Sequence, residues 1–185
     1  MSSSVTTQPS NEKQQRLSEK LLPEIETFKQ RQQSLMLATV DNHQQPNVSY
    51  TPYALANGSF YILISDLAKH GRNLKNHPQL SVMMVEDEQQ AQSIFARKRL
   101  TFEVKARLID RSDSEFAVGI QALTDRLGEM AEQLAKLADF NLYQLTPQKG
   151  LFVKGFAQAF EISGEDLTAV TWASADGHGH QSISA

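Results

Sequence analysis

The chain has 185 residues, 18 basic and 21 acidic side chains and a net charge of −3, with 40% apolar content. A single domain of this size buries roughly 70% of its unfolded surface, so no covalent staples are required. The absence of cysteine excludes disulfides, thiolate metal sites, iron–sulfur clusters and cysteine nucleophiles. No apolar run approaches the ~18 residues of a membrane span. The opening Met1-Ser2-Ser3-Ser4-Val5 has neither the basic nor the apolar region of a signal peptide, so a cytoplasmic protein is expected. Net negative charge also argues against a nucleic-acid partner.

Residues 1–11 are rich in Ser, Thr and Gln and predict a disordered tail; 12–172 predict one domain, and 173–185 a mobile, Gly/Ser/His-rich tail. Leu17, Leu21, Ile25 and Phe28 form a helical stripe, which Pro23 should split or kink. Leu35 to Val40 reads as a strand buried on both faces, and Asn47 to Tyr53 as an alternating one. Asn57-Gly58 marks a hairpin before a strand at Phe60 to Ile64, so the opening strands read as a meander. Ser65-Asp66 should cap a short helix from Leu67 to Asn76, ended by His77-Pro78.

Leu80 to Val85 predicts another strand, and Leu100 to Leu108 alternates cleanly as a half-buried one. Ser112-Asp113-Ser114-Glu115 fits a capping box opening a helix of about six turns, whose stripe continues to Leu137. Leu142 to Leu145, Leu151 to Val153 and Phe156 to Ile162 read as three closing strands, and Ser163 as the cap of a last short helix through Trp172. Strands joined by turn-length links, without βαβ alternation, predict a small, mainly antiparallel barrel with appended helices.

His43 and His77 read most simply as solvent-facing. His70, beside Lys69 and Arg72, fits either a cationic helix end or a pocket for an anionic ligand. Arg97-Lys98-Arg99 fits either a solvated strand entrance or a carboxylate or phosphate clamp. Gly177-His178-Gly179-His180 offers two imidazoles but not the three or four ligands of a zinc site. On spacing alone the function stays open.

Leu37-Ala38-Thr39-Val40-Asp41 and Gln45-Pro46-Asn47-Val48-Ser49-Tyr50 resemble the opening strands of the flavin-binding split-barrel superfamily typified by pyridoxamine-phosphate oxidase. His70-Gly71-Arg72-Asn73-Leu74, with Asn76-His77-Pro78, resembles its short helix. A narrower resemblance, to the HutZ/HugZ family of bacterial haem-utilisation proteins, is carried by Phe95 to Phe102, Asp139-Phe140 and Gly150 to Phe156. It implies a homodimeric split β-barrel that holds haem at the dimer cleft and degrades it with dioxygen and electrons from an external donor.

The same resemblance implies site residues. His180, followed by Gln181-Ser182-Ile183-Ser184, matches the axial iron ligand, and His178 is its rival. Asp139 matches the carboxylate that the opposite subunit offers to that imidazole. His70, Arg97, Lys98 and Arg99 would form a cationic rim for the propionates, Arg99 foremost. FMN is the alternative cofactor, in a pyridoxamine-phosphate-oxidase-type oxidoreductase. However, the flavin phosphate's usual Lys is replaced by His70, and Leu100 and Glu103 stand where its Arg is wanted. A non-enzymatic haem carrier or store is the third possibility.

Overall fold

The computed structural model describes residues 9–164 and 166–173, with side chains from Glu12 onward. It opens with helix α1, Pro9–Arg31, which starts inside the segment read as a tail and runs unbroken through Pro23. Proline inside a helix costs about 3 kcal/mol, but Leu21, Ile25 and Phe28 are each buried, worth about 1.5–3 kcal/mol apiece. Pro23 and Glu19, whose carbonyl loses its intrahelical partner, both face solvent. Burial of the stripe therefore wins over the local break.

Nine strands follow: β1 (Ser34–Val40), β2 (Pro46–Pro52), β3 (Ala54–Ala56), β4 (Ser59–Ser65), β5 (Gln79–Val85), β6 (Arg99–Ile109), β7 (Phe140–Gly155), β8 (Gln158–Ser163) and β9 (Ala169–Trp172). The hydrogen-bonded order is β2-β1-β5-β6-β7-β4-β3, with β8 and β9 added beyond β7. All pairs are antiparallel. The expected meander is instead two hairpins at opposite ends of this order. Only the buried Tyr53 separates β2 from β3, so the chain ties the two ends of the sheet together and curls it into a split barrel. Asn57 and Gly58 take the positive φ of the expected tight turn.

The barrel interior is filled by Leu37, Phe60, Ile62, Val82, Leu100, Phe102 and Phe152, and the α1 stripe joins it. A smaller cluster of Tyr61, Ile109, Leu123 and Leu142 lies under helices α3 (Ser114–Leu127) and α4 (Met130–Ala135). No described helix is long and apolar enough to cross a membrane.

Several elements depart from their sequence readings. β1 is buried on one face only, because no layer covers Met36 and Ala38. The long central helix is two helices: Gly128, at φ 88°, ends the first, and Leu137, where the stripe was expected to continue, is exposed, as is Met130. Asp113, not Ser112, accepts the Glu115 amide at its start. Glu115 instead takes a hydrogen bond from the Tyr61 hydroxyl. Residues 142–153 form parts of one 16-residue strand, since all but Gln148, skipped where the register shifts, pair with β6 or β4. Phe156 sits in the turn that follows, and 169–172 pair with β8 as a strand where a helix was expected.

Candidate functional site

Helix α2 (Lys69–Asn76) begins two residues later than its sequence suggests, at an Ala68 cap with no side-chain hydrogen bond. The two residues suited to capping it are engaged elsewhere. Ser65 Oγ donates to Asp139 Oδ2 at 2.6 Å, and accepts from the Leu67 amide at 3.1 Å. The Asp66 amide donates to the Asp139 carbonyl at 2.8 Å. Asp66 Oδ1 accepts from Asn141 Nδ2 at 2.7 Å, and its Oδ2 pairs with Lys75 Nζ at 2.7 Å. Gly71 lets α2 sit down on this knot, because a Cβ there would meet the Ser65 carbonyl oxygen at 2.4 Å. Asp139 is half-buried, with one carboxylate oxygen held and Oδ1 without a hydrogen bond among the described residues.

His70 lies on the first turn of α2, half-buried. Burial pushes its pKa below the ordinary value of 6.5. His43 is exposed, as expected. His77 is not: it is half-buried, and its Nε2 is buried without a partner among the described residues.

Arg97, Lys98 and Arg99 lie at the opposite end of β7, since Arg99 pairs with Val153 while Ser65 pairs with Phe140. At ~3.3 Å per residue the path along the strand from Phe140 to Val153 is about 43 Å. The three basic residues do not converge. Arg97 Nε donates to the Glu86 carbonyl at 2.9 Å, and its guanidinium pairs with Glu88 at 3.0 Å. Lys98 pairs with Glu24 at 3.0 Å, together with Lys154. Burial alone would raise the Glu24 pKa, but the two lysines outweigh it and hold the carboxyl below its usual range. Arg99 is exposed and makes no ion pair among the described residues.

Arg99 edges an apolar row on the outer face of the sheet. Tyr50, Met36, Met83, Thr101 and Leu151 are successive cross-strand partners through β2, β1, β5, β6 and β7. Tyr50 is 71% exposed and Val48 67%. Beyond Arg99, the short 3-10 helix Ile94–Ala96 and the β7–β8 turn present Phe95 and Phe156, 86% and 68% exposed. Ala96, Lys98 and Phe156 line one polar cavity of about 400 Å³. A cavity of about 620 Å³ between α1 and the β3–β4 turn is lined by none of the site residues read from sequence.

These features suit a flat, apolar ligand with acidic substituents better than a flavin phosphate. The exposed Phe95 and Phe156 beyond Arg99 suit an apolar ring with carboxylates, and the open oxygen of Asp139 can accept an imidazole N–H. For a flavin phosphate, the helix offers His70 and no lysine at that position, Leu100 is buried in the barrel, and Glu103 is an exposed carboxylate. His178 and His180 lie outside the described residues. Sequence reasoning missed Ser65 in this role, and missed Phe95 and Phe156 as exposed aromatics. The signal for Ser65 was present but pointed equally well to a helix cap.

The matching span and the antiparallel curled sheet define a split-barrel protein of the flavin-oxidase class: a family model for pyridoxamine 5'-phosphate oxidase matches residues 21–154. Over 155 residues the chain is 47% identical to the haem oxygenase HutZ of Vibrio cholerae serotype O1, covering 84% of this chain and 88% of that protein. A crystal structure of V. cholerae HutZ, titled a haem storage protein, matches with a TM-score of 0.69 and 46% identity, covering 72% of this chain and 94% of that one. Campylobacter jejuni ChuZ matches with a TM-score of 0.80 and 32% identity, over 88% of this chain and 66% of that one. The chain belongs to the pyridoxamine 5'-phosphate oxidase family, in the branch that includes HutZ.

Proposed function

We propose that this protein binds haem and degrades it oxidatively, using dioxygen and electrons from an external donor, to release iron. The observation that carries this conclusion is the 47% identity to the haem oxygenase HutZ across 84% of the chain. Bound haem supplies the oxygen chemistry; the protein ligates, orients and excludes water. In this reading His180, with His178 as its rival, provides the axial imidazole. Asp139 accepts that ring's second N–H and so fixes its orientation and raises its basicity.

Arg99 takes a propionate, with His70 on α2 as a further N–H donor. Arg97 and Lys98, held by Glu86, Glu88 and Glu24, brace the entrance to β6 instead of reaching a ligand. Because Arg99 and Asp139 sit at opposite ends of β7, one chain does not assemble both halves of the site. A homodimer does, by burying the Tyr50–Met36–Met83–Leu151 row against its copy. The reading includes a cytoplasmic place of action, where reducing equivalents are available.

One observation favours a second reading: the matched HutZ structure is titled a storage protein. Haem titration followed by reductant in air separates the two. Loss of the Soret band with release of iron supports degradation. A spectrum that survives reductant supports storage, and a flavin doublet with no haem uptake would overturn both.

A further inference from the structure

We propose that Ser65 is a positioning residue for the reaction, acting through Asp139; this rests on the reading of Asp139 as the acceptor for the axial imidazole. A serine hydroxyl has one proton. Its Oγ accepts the Leu67 amide at 3.1 Å, so the proton is directed to Asp139 Oδ2, 2.6 Å away. A donor this close to an ionised carboxylate makes a short, charge-assisted hydrogen bond. That bond fixes the rotation of the Asp139 carboxylate and reserves Oδ1 for a second donor.

The surroundings hold the pair in place without competing for it. The Asp66 amide pins the Asp139 carbonyl at 2.8 Å, while Lys75 and Asn141 occupy the Asp66 carboxylate. The arrangement also accounts for two departures from local rules. Ser65 and Asp66 do not cap α2, and Gly71 is needed so that the helix can pack against the Ser65 carbonyl. A local stabilisation of the helix is thereby forgone where a carboxylate is oriented.

The test uses the haem-loaded protein and the ferrous iron–imidazole stretching frequency, which reports the hydrogen bond on the far side of the ring. Asp139→Asn sets the full shift. Ser65→Ala is expected to move the frequency part of the way in the same direction and to slow turnover about threefold to tenfold, below the 10–100-fold typical of losing an outer-shell partner outright. Ser65→Thr, which keeps a hydroxyl, is expected to restore both. In an Asp139→Asn background, Ser65→Ala should add nothing. Ser65→Thr against Ser65→Val carries the same comparison if the alanine variant is unstable. A shifted frequency in Asp139→Asn with an unshifted one in Ser65→Ala and Ser65→Val overturns the role of Ser65 alone. An unshifted frequency in Asp139→Asn overturns the reading of Asp139 and this assignment with it.

Discussion

The two ends of β7 are built on opposite principles. At the Phe140 end, Ser65, Asp66, Lys75, Asp139 and Asn141 hold one another through hydrogen bonds and an ion pair, so the carboxylate's orientation is set before any ligand arrives. At the Val153 end, Arg99 is exposed beside an apolar row, and Phe95 and Phe156 stand in solvent. The closed end is suited to orienting a reacting centre, and the open end to recognising and covering a ligand. Such preorganised and adaptable halves have different sensitivities to mutation.

The sharpest break in that comparison comes from the open face. Met36→Asp combined with Tyr50→Asp would bury two carboxylates in the proposed interface. Sedimentation is expected to show a monomer, and haem affinity to fall by about 100-fold or more, as two tenfold steps of 1.4 kcal/mol each. A dimer that persists with normal affinity would move the interface elsewhere. His180→Ala is expected to change the ferric-haem spectrum and largely stop turnover, with His178→Ala close to wild type. A reciprocal loss in His178→Ala would transfer the ligand to that residue.

Smaller effects separate the two ends. Asp139→Asn is expected to retain haem while slowing its degradation about 10–100-fold, measured in single turnovers. Arg99→Ala should instead weaken binding about tenfold, the loss expected of a charged hydrogen bond, and make the remainder less salt-sensitive. Arg97→Ala should leave affinity unchanged and lower thermal stability. The smallest effect belongs to Glu24. Its folded pKa lies below its unfolded value of 4.5, so its contribution is full above that value and fades as pH falls through the folded one. The Glu24 side chain is 30% exposed and solvent still screens its two ion pairs, so Glu24→Gln should flatten the acid limb of the stability curve by less than about 1 kcal/mol.

The barrel strands were legible because period-2 alternation survives where one face is buried, as in Leu100 to Ala106, although beyond it Leu108 is exposed and Ile109 buried. Helix ends were not. Apolar spacing carried the central helix past Gly128, whose backbone conformation decided otherwise. Ser163 suggested a helix cap where Ala169 to Trp172 pair with β8. Of the site, Asp139, His70 and Arg99 could be named from family resemblance, but their separation along β7 depends on strand register that no local pattern encodes. Ser65 was hidden because one hydroxyl serves equally well as a cap or as a carboxylate's partner.

The central claim, a site completed across two protomers, is tested most directly by mixing variants. A purified heterodimer pairing a His180→Ala chain with an Asp139→Asn chain holds one intact site if His180 of each chain meets Asp139 of the other. Turnover of about half the wild-type rate per dimer is then expected, because a two-fold interface carries two equivalent sites. If both residues of a site come from one chain, the heterodimer holds no intact site. Turnover no better than the mean of the two variant homodimers would contradict the shared site.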